Sequence, residues 1–272
     1  MLDFPKLDFA KTERSIENFI KDHVEKNKKD GVVLGISGGL DSACVAYLSA
    51  KALGPEKVLG VKMHEEFIPN PDFSSYKPED YADLFDSNTV IKKLGIKNET
   101  NLIGPLIQQY KNTLNIRDDE NLELGNIKAR TRMTILYYYA NKENKLVVGT
   151  GDKSEILTGY FTKYGDGGVD FLPLGELYKT HVRELSKEIG VPKKIIKKPS
   201  SPGLWKGQTA EEELGIKYEI LDQILYNLID RSLPVEKIDY DRKSVEYVEK
   251  LVKRSAHKRD PLPKAEVFYH DR

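Results

Sequence analysis

The sequence predicts an α/β fold, a parallel twisted sheet with helices on both faces. Three observations predict it. Short apolar, β-branched runs recur at 32–36, 57–63 and 145–149, with a weaker one near 99–103. Helical patterns at 41–53, 78–94 and 122–143 stand between them. Strands alternating with helices of this length need crossover connections, which make the strands parallel and cover the sheet on both sides. The first strand also runs directly into a glycine-rich turn that opens a helix. In such sheets, ligands sit beyond the carboxyl ends of the strands.

In chain order, residues 10–27 carry Ile16, Phe19, Ile20 and Val24 at helical spacing, which predicts a covering helix ahead of the sheet. Val32-Val33-Leu34 reads as the first strand and Ala43, Val45, Ala46 and Leu48 as the helix after it. The strand at 57–63 is followed by a long, acidic, proline-rich stretch, 64–78, before the next helix. The strand at 145–149 ends in Gly149-Thr150-Gly151, so its end and the 37–42 turn can face one pocket. Beyond residue 180 the pattern is mostly helical, with loops at 160–172 and 197–209 and an extended tail from Asp260. There is no internal repeat, so residues 1–272 read as one domain. With 43 basic and 43 acidic residues, no broad field for nucleic acid or membrane is expected. The N-terminus lacks a leader pattern and no apolar run reaches membrane length. A soluble, cytoplasmic protein is the expectation. The single cysteine, Cys44, excludes an intramolecular disulfide and reads as a small packing residue.

The densest chemistry lies in Gly35, Ile36, Ser37, Gly38, Gly39, Leu40, Asp41 and Ser42. Gly38 and Gly39 allow positive φ and close approach of the backbone, and a helix N-terminus offers unpaired N–H groups. With the hydroxyls of Ser37 and Ser42, this makes a nest for a phosphate group. The usual P-loop has a lysine before its Ser/Thr. Here Asp41 stands there instead, a carboxylate beside the expected phosphates, which is sensible if it holds Mg²⁺. An ordinary strand–helix turn with an N-cap is the plain alternative. A second polar, glycine-dense stretch, 149–170, follows the strand at 145–149 and has the composition of a binding loop. In it Glu155 is placed to offer a second carboxylate to the same metal, and Lys163, Asp166 and Asp170 can meet substrate groups.

The hexapeptide from Ser37 to Ser42 resembles the PP-loop of the ATP pyrophosphatases, which cleave ATP between its α- and β-phosphates. With the 149–170 segment it resembles the NAD synthetase family, and four further blocks stand in the family's order. Asn126-Ile-Lys-Ala-Arg-Thr-Arg-Met133 is similar to the helix that carries an arginine for the dinucleotide substrate. The likeness assigns that role to Arg130, while Arg132 lies about 200° further around a helix. Leu172-Pro-Leu-Gly-Glu-Leu-Tyr-Lys179 and Ser200 to Ile216 resemble the next motif and the mobile loop, and His257-Lys258 resembles a late pair. The resemblance implies ATP contacts at residues 35–42, Thr150, Lys179 and Ser201. It implies deamido-NAD contacts at Arg130, Lys163, Asp170, His257 and Lys258, with Mg²⁺ on Asp41 and Glu155. The 64–78 stretch departs from the family pattern, and no residue is assigned there.

The activity so implied is amidation of deamido-NAD by ammonia through an adenylated carboxylate, releasing AMP and pyrophosphate, in a homodimer with small-molecule substrates only. Free ammonia is expected because glutamine use needs a nucleophilic cysteine in an amidase domain, and Cys44 belongs to the helix after the PP-loop. Trp205, in a Gly-flanked loop, is expected to act in a lid over the substrates. Lys193, Lys194, Lys197 and Lys198 read as a solvated face, and Tyr137 to Tyr139 as core and subunit interface. Two alternatives stay open: a PP-loop ligase for another acid, and a nucleotide-binding module without catalysis. A pure binder has no need for both Asp41 and Glu155.

Overall fold

The structure, a computed structural model, describes residues 4–65, 82–117, 119–205 and 207–267. Four strands form one parallel sheet in the order β3-β2-β1-β4: β1 Val32–Gly35, β2 Val58–His64, β3 Lys97–Leu102 and β4 Leu146–Val147. The chain steps outward from β1 to β2 and β3, then returns to the other side of β1 for β4. The carboxyl end of β1 is therefore a topological switch point, where such sheets open a crevice.

Period-two alternation sends neighbouring side chains of β1 to opposite faces. Val32 and Leu34 join the larger core, with α1 (Phe9–Lys26), α2 (Leu40–Leu53) and α3 (Ala82–Leu94). Val33 joins Leu59, Val61 and Val147 under Tyr139 and Ala140 of α5 (Asn121–Lys142). Both faces are thus covered. Helix α2 is buried on nearly every side, from Leu40 to Ala52, because it lies between the sheet and α1. Each aliphatic side chain so enclosed contributes about 1.5–3 kcal/mol. No helix among the described residues is long and apolar enough to cross a membrane.

The remaining helices are α4 (Gly104–Leu114), α6 (Lys153–Thr158), α7 (Lys179–Glu188), α8 (Lys193–Ile196), α9 (Ala210–Leu214), α10 (Tyr218–Leu225) and α11 (Arg242–Arg259). A second core around Tyr218, Leu221, Leu225, Val245 and Val248 joins α9, α10 and α11 to the rest through Tyr178 and Leu157.

Several boundaries differ from the sequence expectation. The strand expected at 145–149 is a strand paired with β1 over Leu146–Val147; Val148 N–H still donates to the Val33 carbonyl at 2.9 Å but pairs with Phe171 as a single bridge. Helix α4 was not expected. It begins at Gly104 with Pro105 in its first turn and buries only Ile107, leaving Leu106, Tyr110 and Leu114 exposed. Helix α6 stands inside the stretch read as a binding loop, held by a reciprocal capping box between Asp152 and Glu155. Most of the divergent 64–78 stretch lies outside the described residues.

Candidate active site

The loop that leaves β1 is shaped by its own hydroxyls. Gly39 N–H donates to Ser37 Oγ at 3.1 Å, Ser42 Oγ donates to the Gly39 carbonyl at 3.2 Å, and the two hydroxyls lie 3.0 Å apart. Gly38 has φ of +81°, and a Cβ on it would meet the Asp83 carbonyl oxygen at 2.3 Å. No side chain caps the N-terminus of α2 at Gly39, which leaves its first amides to an anionic ligand. Ile36 and Leu40 are core side chains that anchor the loop on either side. Gly35, the last residue of β1, delivers the chain into it.

Asp41, in the first turn of α2, points at the centre of the site. Its Oδ2 lies 2.8 Å from Lys179 Nζ, and Glu155 Oε1 lies 2.8 Å from the same ammonium. Asp152 Oδ2 completes the group at 2.9 Å. Lys179 is fully buried, with Tyr218 beneath it at 5.4 Å from the ring centroid. Burial lowers the lysine's affinity for its proton, but the three carboxylates more than offset this and hold its pKa well above the ordinary value. Burial pushes the carboxyls of Glu155 and Asp152 upward. Three carboxylates on one ammonium leave an excess of negative charge.

Asp41 Oδ1 is buried with no hydrogen-bond partner. An orphaned carboxylate oxygen in an over-acidic cluster, beside a phosphate nest, fits a hard divalent cation. Mg²⁺ is commonly held by one or two carboxylates plus phosphates and waters rather than by a protein cage. Accordingly, no group of three or more His, Cys, Asp or Glu among the described residues is arranged as a metal cage.

Among the other expected ATP contacts, Thr150 follows β4, half-buried, and Ser201 is exposed with its Oγ accepting from Gly203 N–H. Lys179 is not a free phosphate ligand in this arrangement, because its ammonium is occupied by three carboxylates. Direct contact with ATP needs one of those pairs to part.

The residues expected at deamido-NAD are far apart in sequence, yet most come together. Arg130 Nε donates to the Lys163 carbonyl at 3.3 Å, and Lys163 Nζ donates to the His257 carbonyl at 2.7 Å. Lys258 Nζ donates to the carbonyls of Gly159 and Phe161, both at 2.7 Å. Asp170 stands apart. It accepts from Val147 N–H at 2.7 Å and from the Tyr137 hydroxyl at 3.1 Å, two helical turns along α5 from Arg130. Arg132 turns away from Arg130 to Glu65, at 3.5 Å.

Sequence reading missed Asp152, although the Asp-x-x-Glu spacing ahead of α6 is a capping-box signature. It also misread Lys198. Rather than lying on a solvated face, Lys198 pairs with Asp83 and Asp86 and reaches the Gly38 carbonyl at 3.4 Å. Lys194 also pairs with Asp86, at 2.9 Å. Trp205 is half-buried against Gly125 of α5, beside Leu204, whose carbonyl accepts from Lys128 Nζ at 2.6 Å.

A parallel sheet with a phosphate nest at its switch point and an acidic cluster alongside defines a nucleotide-dependent enzyme of the PP-loop fold. Residues 12–262 match the sequence profile of the NAD synthase family, and the chain belongs to that family. It is 48% identical over 270 residues to the NH(3)-dependent NAD(+) synthetase of Hyperthermus butylicus, covering 96% of this chain and 94% of that one. It is 46% identical to the protein of the same name from Thermococcus kodakarensis, covering 93% and 96%. Among solved structures, NMN synthetase from Francisella tularensis superposes with a TM-score of 0.81 at 31% identity, covering 96% of this chain and all of that one. The NH3-dependent NAD synthetase of Campylobacter jejuni, in complex with nitrate ion, gives 0.79 at 28%, again covering 96% and 100%.

Proposed function

We propose that this chain makes NAD from deamido-NAD and ammonia, with ATP converted to AMP and pyrophosphate. The observation that carries the reading is the convergence of Asp41, Asp152 and Glu155 on Lys179 beside the 37–42 nest. A nicotinate carboxylate is a poor electrophile because its oxygen leaves badly. Attack of that carboxylate on the α-phosphate of ATP forms an acyl adenylate and expels pyrophosphate. Ammonia then adds to the activated carbonyl, expels AMP and loses a proton to give the amide.

The residues of the chain supply position and charge rather than a nucleophile. The amides at the start of α2 receive phosphate oxygens. Lys179 is held charged by its carboxylates and is available to the leaving pyrophosphate once one pair parts. Asp41 and Glu155 would hold Mg²⁺, which when bound supplies neutralisation of phosphate charge. Arg130, Lys163, His257 and Lys258 form the site for the substrate dinucleotide, and Asp170 joins them if the substrate extends along α5. Thr150 and Ser201 add hydroxyls for ATP.

Ammonia, rather than glutamine, is the nitrogen donor of this chain. Cys44 is its only cysteine, and burial pushes the thiol pKa up to about 12, which rules it out as an amidase nucleophile. A homodimer is also proposed. Leu106, Tyr110 and Leu114 of α4, with Leu122 and Tyr138 of α5, are exposed on two helices that pack together.

The test is product formation by the purified chain with ATP, Mg²⁺ and ammonium. Deamido-NAD should give NAD, AMP and pyrophosphate in equal amounts. Pyrophosphate released without an acid substrate would refute the coupling. A much higher kcat/KM with nicotinate mononucleotide would assign the chain the activity for which the Francisella protein is named.

A further inference from the structure

Helix α10 lies behind the acidic cluster and brings two fully buried polar residues to it from one face, Tyr218 and, one turn later, Asp222. Asp222 Oδ1 accepts from Ser154 Oγ at 2.5 Å, and Oδ2 accepts from both the amide and the hydroxyl of Thr180 at 2.8 Å. Ser154 Oγ in turn accepts from Lys179 N–H at 3.0 Å. Ser154 directly precedes Glu155, and Thr180 directly follows Lys179. A single carboxylate therefore grips the backbone neighbours of both partners in the ion pair.

Helix α7 has no cap of its own, because its N-cap residue is Tyr178 and makes no side-chain bond. Asp222 supplies the missing acceptor from another element and places negative charge at the positive end of that helix. Tyr218 closes the floor under Lys179, and its hydroxyl is buried without a partner. Packing alone does not explain this choice of residue. Leu221, Ile224 and Leu225 already fill the apolar contacts of α10, and burying a carboxylate is costly.

We propose that Asp222 is a positioning residue of the reaction: it fixes α6 against α7, and so sets the spacing of Glu155, Asp152 and Lys179 that metal and ATP phosphates require. The inference rests on the reading of Asp41 and Glu155 as the metal site. Burial raises the carboxyl pKa of Asp222 to about 7 in spite of its three donors, so the arrangement is maintained against a real cost.

The test compares the full-length wild type with Asp222→Asn, Ser154→Ala and Glu155→Gln, at a temperature where circular dichroism shows each to be folded. Mn²⁺ is titrated by electron paramagnetic resonance in the presence of α,β-methylene ATP, and kcat and KM are measured separately. Asp222→Asn should weaken Mn²⁺ binding and lower kcat, each by about tenfold or more, with KM for deamido-NAD changed less than about threefold. Ser154→Ala should move both in the same direction by less, and it carries the test if Asp222→Asn fails to fold. A folded variant that melts lower but keeps wild-type kcat and Mn²⁺ affinity would reduce Asp222 to packing and overturn the inference. Glu155→Gln separates the two levels. If it loses Mn²⁺ while Asp222→Asn does not, the inference alone fails; if it keeps both Mn²⁺ and turnover, the metal reading falls and the inference with it.

Discussion

At Gly38 the backbone adopts φ of +81°, and the space where a Cβ would lie is filled by the Asp83 carbonyl at 2.3 Å. Gly38→Ala therefore combines left-handed strain, about 1–3 kcal/mol, with a backbone collision. It should weaken ATP binding by calorimetry more than it lowers the melting temperature. Asp41→Asn and Glu155→Gln should each cut pyrophosphate release by about 10²–10³ while leaving the fold intact, a loss in the range for removing one transition-state contact. Near wild-type turnover in saturating Mg²⁺ would withdraw their assignment. Cys44→Ala should leave the ammonium-dependent rate within about twofold, since it deletes only a small buried group. A glutamine-dependent rate lost in that variant would refute the ammonia argument. At this scale, legibility followed locality. Asp41 and Glu155 stood out because each sits in a short motif, and the structure brings both to Lys179. Asp152, Lys198 and Asp222 did not, because the Lys179, Asp83 and Ser154 that give them meaning arrive from other elements.

Among the elements, β1 and α2 were readable because apolar residues on every side mark buried structure wherever it lies. Helix α4 was not picked out, although Leu106, Ile107, Tyr110 and Leu114 stand at helical spacing. The strand at 145–149 was overestimated because the chain turns to Phe171 after Val147, held there by a single bridge and by Gly149 N–H to the Phe171 carbonyl. The loop read at 197–209 is irregular over its described residues, but its attachments were invisible: Leu204 N–H donates to Gln208, Gln208 donates to Glu213, and the Tyr160 hydroxyl donates to the same carboxylate. These bonds describe a loop fastened at its far end, with Gly203 and Gly207 at positive φ and open space around each. Binding of ATP and deamido-NAD should shift Trp205 emission to the blue and slow proteolysis between residues 200 and 212. Trp205→Ala should release more AMP without NAD than it weakens ATP binding, because an open lid admits water to the adenylate. Unchanged emission and unchanged cleavage at saturating substrates would make the loop a fixed connector.

At the scale of the whole molecule, the buried charges set how stability depends on pH. Burial lowers the pKa of His64 and His181, so they contribute stability above their ordinary value of 6.5 and withdraw it as pH falls. Burial raises the pKa of Asp222 to about 7 and that of Glu155 well above its ordinary value. For an acid the sign is opposite: the folded state retains protons that the unfolded state has released, so stability falls as pH rises between the two pKa values. The two histidines oppose this slope: in the unfolded chain they are half protonated at pH 6.5 and become neutral in both states only at about pH 7.5. The carboxylate contribution to the metal-free melting temperature should therefore appear as a difference between wild type and Asp222→Asn from about pH 6.5 to about pH 8. Lys179 does not counter this, since its raised pKa adds stability that is lost only on the alkaline side of 10.5. Mg²⁺ binds the ionised carboxylates, so its stabilising effect should grow as pH rises. Differential scanning fluorimetry across that range, with and without Mg²⁺ and an ATP analogue, measures both trends. Asp222→Asn should make the metal-free melting temperature rise more, or fall less, with pH than in wild type, and Glu155→Gln should abolish the growth in metal stabilisation. An equal metal-free slope in wild type and Asp222→Asn would place the titrating group elsewhere.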